Sequence, residues 1–124
     1  MSIRSGPTHW TCEAVACAAD LTDAPALRKA LRAAAAAANA TVVGEIEHAY
    51  HGGGEGLTMV LLCAESHLLL STWPESDYAL VEVFLCGQGA DASSAANALK
   101  DALRPGEWKT HEAKVQTPPL AIMR

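Results

Sequence analysis

The chain has 124 residues, half of them apolar, with a formal net charge of -5 and a pI near 5.4. That length suits one domain with a single core and leaves no room for a separate cofactor-binding domain. The acidic balance argues against nucleic acid as a partner and is compatible with a cationic substrate. No apolar run reaches membrane-span length and Met1–Pro7 carries no hydrophobic leader, so the expectation is a cytoplasmic protein without a membrane partner.

Thr8–Ala18 alternates as a first strand, with Trp10, Cys12, Ala14 and Ala16 on one face and Thr11, Glu13 and Val15 on the other. Asp23 is a helix N-cap with Pro25 in the first turn, and Ala24–Asn39, alanine-rich with Leu27 and Leu31, is the clearest helix. Thr41–Ala49 switches to β-favouring residues. Gly52–Gly56 is a loop: no Lys-Ser/Thr follows and it leads into a strand, so a flexible turn or close backbone approach fits better than a phosphate cradle. Leu57–Ala64 and Ser66–Thr72 read as two limbs about a tight turn, and Tyr78–Leu85 as another strand. Asp91–Leu103 has a capping aspartate and helical spacing, ended by Arg104-Pro105-Gly106. Trp108–Gln116 is a last strand and Pro118-Pro119 a tail. The short links between strands predict an α+β fold in a single domain, an antiparallel β-sheet covered by two helices.

The four cysteines, Cys12, Cys17, Cys63 and Cys86, form no CxxC pair, so free thiols are expected rather than disulfides. No short Cys/His spacing suggests a metal.

Chemistry concentrates in Leu57–Gly87. A hydrophobic strand ends in Glu65-Ser66-His67, then come Thr72-Trp73-Pro74-Glu75 and a strand closing in Phe84-Leu85-Cys86-Gly87. With His9…Glu13 and the helix after it, this order resembles the small bacterial and archaeal form of S-adenosylmethionine decarboxylase. The resemblance implies a proenzyme, residues 1–124, that cuts itself between Glu65 and Ser66 into a β chain 1–65 and an α chain 66–124. The Ser66 hydroxyl would attack the Glu65 carbonyl to give an ester. β-Elimination and hydrolysis would then leave a covalent pyruvoyl group at position 66. Ordinary side chains lack an electrophilic carbonyl, and this group supplies one: a substrate amine joins it as a Schiff base, and carbon dioxide leaves with its electrons accepted by the conjugated imine. The resemblance further implies Cys86 as proton donor and Thr58 as the hydroxyl assisting processing. Glu13, Trp73 and Glu75 are expected to hold the substrate, with Trp10, Tyr50 and Trp73 as stacking surfaces for an adenine. Without the resemblance, Ser66 reads as a turn serine, Cys86 as a buried thiol, Trp73 as packing and the two glutamates as solvated surface.

One position departs from the family. Its members carry a histidine five residues after the serine, assigned the proton abstraction that opens the ester; here Ser71 stands there. A hydroxyl does not titrate near neutrality and is a far poorer base. Three outcomes stay open: His67, His48 or His51 takes the role, processing is slow, or the chain is an uncleaved, non-catalytic homologue acting as a binding or regulatory subunit. The resemblance implies S-adenosylmethionine as substrate for spermidine synthesis, with L-arginine and L-ornithine as alternatives, and a homodimer of processed protomers with sites at the interface.

Overall fold

The computed structural model describes residues 8–51, 53–86 and 89–114. Within them the order is β1 (Thr8–Cys17), α1 (Ala24–Ala37), β2 (Val42–Ala49), β3 (Leu57–Cys63), β4 (Ser66–Trp73), β5 (Tyr78–Leu85), α2 (Ala92–Leu103) and β6 (Pro105–Lys114). A 3-10 turn, Pro74–Ser76, joins β4 to β5. The strands form one sheet in the order β2-β3-β4-β5-β1-β6, antiparallel at every described pairing.

Both helices start where the sequence places a cap. The Asp23 carboxylate accepts from the Ala26 amide at 3.1 Å, and Asp91 accepts from Ser94 at 3.2 Å, each satisfying an amide that the first turn leaves without a partner. Left-handed residues follow the helices: Asn39 at φ 59° just beyond α1, and Arg104 at φ 49° capping α2. The helices pack on each other and on one sheet face, α1 over β3 and β4, α2 over β5 and β1.

Alternation supplies the core. On β4, Ser66, Leu68, Leu70 and Thr72 are buried under the helices while His67, Leu69, Ser71 and Trp73 point the other way. Leu68 and Leu70 meet Leu31 and Leu99 in the buried cluster, and each fully buried leucine contributes about 1.5–3 kcal/mol. Arg28 and Arg32 of α1 bind Glu47 and Glu45 of β2, tying the edge strand to the helix layer. These guanidinium hydrogen bonds hold both carboxyls below their ordinary range. The opposite sheet face carries no covering element among the described residues, and it leaves Ile46 and Leu62 exposed.

The predicted elements correspond to those observed, with two adjustments among the described residues. Ala16 does not share the face of Cys12 and Ala14. It adopts φ 56° and is exposed, and Cys17 takes the next core position, because a left-handed residue breaks the two-residue alternation. The last strand starts earlier, at Pro105, which needs no amide as the first residue of an edge strand. Expected strand residues Val115 and Gln116 and the Pro118-Pro119 tail lie outside the described residues, as does Gly52 of the glycine loop.

The rest of that loop makes a close backbone approach. A Cβ on Gly54 would stand 2.8 Å from the Glu75 amide nitrogen, and one on Gly56 would collide with the Thr72 carbonyl oxygen. Only glycine lets the loop lie against Thr72–Glu75.

Candidate active site

The β3–β4 hairpin closes through two residues, Ala64 and Glu65, between the paired Cys63 and Ser66. Glu65 adopts φ 64°. Positive φ at the second turn position alone is the pattern that favours glycine, and turns of that hand fit a twisted hairpin poorly. A glutamate held there stores about 1–3 kcal/mol in the residue whose carbonyl precedes Ser66. Ser66 is buried and its hydroxyl donates to the Ala64 carbonyl at 3.3 Å. Cys86, just past the end of β5, places its thiol 2.8 Å from the Glu65 carbonyl oxygen. Serine hydroxyl, strained peptide and polarising thiol therefore meet at one hairpin tip. Cys63 lies beneath it, its thiol pushed up by burial. Ser66 would carry any group made from its own atoms at this tip, and Cys86 would supply the neighbouring proton donor.

Thr58 and Ser71 come together as cross-strand partners, their hydroxyl oxygens 2.6 Å apart. They do so at the far end of the same two strands. Ser71 lies five positions after Ser66, about 17 Å of strand. The Tyr50 hydroxyl joins them 3.1 Å from Thr58, making a chain of three hydroxyls. A cavity of about 340 Å³ opens here, lined by Tyr50, Thr58, Ser71, Trp73, Glu75 and the loop glycines Gly53, Gly54 and Gly56. Trp73 is 42% exposed, its ring 5.5 Å from that of Tyr78. Thr72 anchors the rim from below by accepting from the Leu57 amide at 3.1 Å and donating to Leu21 at 3.2 Å.

Glu13 lies on the uncovered face outside this cavity, accepting from the Tyr78 hydroxyl at 2.8 Å and contacting His111 Nε2 at 2.9 Å. Those two bonds, His111 first, hold its carboxyl below the ordinary range. Burial and the neighbouring carboxylate push the Tyr78 phenol up.

His67 follows Ser66 but faces the other side of the sheet, with Nε2 3.7 Å from a Glu82 carboxylate oxygen. His9 Nε2 lies 3.3 Å from the same oxygen. Phe84 stacks under His67 at 5.2 Å and meets the edge of His9 at 5.5 Å. Of the other histidines, His48 stands edge-on to Tyr50, across from Thr58, and His51 lies just beyond Tyr50.

Sequence reasoning assigned Ser66, Cys86, Thr58 and Ser71 to one site, and it did not anticipate that one protomer holds Ser66 and Cys86 apart from Thr58 and Ser71. It passed over Glu82 and Tyr78 and treated Tyr50 only as a stacking surface. An acidic residue in the outward phase of Val81-Glu82-Val83 was the available signal.

Among the described residues no group of three or more His, Cys, Asp or Glu side chains gathers as a metal site, and no helix is long and apolar enough to cross a membrane. Comparison with known proteins finds decarboxylases, several of them named as proenzymes. The profile of the S-adenosylmethionine decarboxylase family matches residues 8–116. The S-adenosylmethionine decarboxylase proenzyme of Parasynechococcus marenigrum is 38% identical over 100 residues, 81% of this chain and 77% of that protein. The arginine decarboxylase proenzyme of Aeropyrum pernix is 37% identical over 90 residues, 73% of this chain and 68% of that protein. The crystal structure of the adenosylmethionine decarboxylase from Aquifex aeolicus superposes with a TM-score of 0.80 at 26% identity, covering 90% of this chain and 92% of that one.

Proposed function

The chain belongs to the S-adenosylmethionine decarboxylase family, and on that premise we propose that it is a proenzyme that cuts itself between Glu65 and Ser66 and then decarboxylates S-adenosylmethionine. The observation that carries the reading is the hairpin tip, where Ser66, the left-handed Glu65 and the Cys86 thiol at 2.8 Å share one peptide bond. Ser66 Oγ attacks the Glu65 carbonyl carbon, the C–N bond breaks, and the hydroxyl proton passes to the departing nitrogen. The Cys86 S–H donates to the carbonyl oxygen as negative charge develops there. Cleavage also releases the backbone strain at Glu65.

The pyruvoyl group formed from Ser66 supplies the electron sink for decarboxylation, and no metal is needed in this reading. Cys86, already beside that position, returns a proton to the substrate carbon that has lost carbon dioxide. Tyr50 and Trp73 offer aromatic surfaces for the adenine, and Glu75 a carboxylate for the substrate's positive charge.

The cavity lies about 17 Å along β4 from its own Ser66, too far to serve it. We therefore read the working unit as a homodimer. Two copies stacked through their uncovered faces in opposed directions set the cavity of each against the hairpin tip of the other. Arginine is the second reading, favoured by the similarity to the Aeropyrum pernix protein.

Intact-mass measurement tests the first claim. Two fragments, 1–65 and a blocked 66–124, are expected, and a chain that stays whole on long incubation overturns it. Carbon dioxide release with S-adenosylmethionine, arginine and ornithine then selects the substrate. Sedimentation that shows only monomer in active enzyme overturns the shared site.

A further inference from the structure

The elimination step needs a base, and position 71 offers only a hydroxyl bonded to Thr58. We propose that His67 is the proton acceptor of self-processing and that Glu82, held between His9 and His67, is the residue that positions it. The inference rests on cleavage at Glu65–Ser66.

The geometry is that of an oriented imidazole. Glu82 Oε1 lies 3.7 Å from His67 Nε2 and 3.3 Å from His9 Nε2, so one carboxylate addresses both rings. Phe84, the cross-strand partner of both His67 and His9, fixes the ring plane of His67 from below, 24° from parallel. At 3.7 Å the contact is an ion-pair distance rather than a hydrogen bond, and closing it by a few tenths of an ångström would set the proton of the neutral ring on Nε2 and the accepting lone pair on Nδ1. Within one protomer this ring is one residue from Ser66, whereas His48 and His51 lie at the cavity end and reach a hairpin tip only across the proposed dimer, as side chains of the other copy.

The step balances without a further reagent. Once the acyl group has moved to Oγ, the Ser66 nitrogen is no longer bonded to Glu65, which frees the first residue of β4 from the turn. His67 Nδ1 takes the Cα proton of Ser66. The C–H pair forms the Cα=Cβ bond, the Cβ–Oγ bond breaks, and Glu65 leaves as a carboxylate carrying the pair of that Cβ–Oγ bond. The imidazolium faces Glu82, which stabilises it while its second neighbour, His9, holds the carboxylate in place.

The test follows cleavage by intact mass, with and without hydroxylamine, which cuts an accumulated ester to leave a Glu65 hydroxamate and an unblocked Ser66. Both side chains are about one-third exposed, so substitution should leave the fold intact. His67→Ala is expected to slow pyruvoyl formation by about 10²–10⁴-fold, to accumulate hydroxylamine-sensitive ester, and to be rescued by added imidazole. Glu82→Gln should do the same by roughly 10-fold or more, while Glu82→Asp retains most of the rate. Cleavage of both His67→Ala and Glu82→Gln at the unmodified rate overturns the proposal, as does a block with no ester, which marks a merely structural role. Ester accumulation in His48→Ala instead of His67→Ala transfers the role and equally overturns it. An unmodified chain that forms neither pyruvoyl nor ester overturns the cleavage reading itself, an outcome distinct from the others.

Discussion

The two ends of the β3–β4 ladder are built from the same strands and share a hydrophobic middle, yet they are made for different work. The hairpin tip concentrates reactive groups: a serine, a thiol and a glutamate in an unfavourable backbone region. The opposite end collects three hydroxyls, two aromatic rings and a carboxylate around a cavity, with glycines letting one loop settle on another. In the proposed function, one end bears the bond to be broken and the other the room to hold a molecule. A strand is stiff, so about 17 Å between them cannot be closed by bending, and the division itself argues for a second copy.

Substitutions at either end can break this division of labour. The largest effect belongs to the tip: Ser66→Ala should abolish both cleavage and decarboxylation, leaving a single chain by mass. Next, Cys86→Ala should slow carbon dioxide release by about 10²–10⁴-fold, the usual contribution of a positioned acid. Cleavage there should slow as well, since the donor on the Glu65 carbonyl is lost. Ser71→His, at the cavity end, should accelerate cleavage about 10-fold or more if that end of one copy faces the tip of the other. No acceleration would mean that the two ends work without meeting.

Smaller effects separate cavity shape from chemistry. Gly56→Ala should cost about 1–3 kcal/mol in urea unfolding, because its Cβ meets the Thr72 carbonyl. Tyr50→Phe removes one half-exposed hydrogen bond and should cost less than about 1 kcal/mol, while raising KM if the ring alone does not position the substrate. Both unfolding costs are best measured in the Ser66→Ala background, where every chain is intact, and the KM in the chain that keeps Ser66.

Most of the fold was legible in the sequence because its signals are local. Asp23 and Asp91 mark helix starts through their own side chains, and the alternation of β4 and β5 declares which face is buried. The candidate site was legible only in part. Glu65, Ser66 and Cys86 stood out through their motifs, but the spacing along a strand hides which pairs meet and which stay apart. Glu82 was silent for the same reason: its meaning comes from His9, 73 positions away, and from the cross-strand register that brings them together. Ala16 was misassigned because a single left-handed residue leaves no compositional trace.

The strand order β2-β3-β4-β5-β1-β6 carries a last consequence. A cut before Ser66 leaves β1, α1, β2 and β3 on one piece and β4, β5, α2 and β6 on the other, yet β1 is threaded between β5 and β6. The two pieces are dovetailed, so the nick opens no seam along which they could drift apart. What changes is the way back: an intact chain refolds alone, whereas unfolded pieces must first find each other in solution. Maturation would then act as a ratchet, in which folding has to precede the cut and a cut molecule, once melted at high dilution, stays lost.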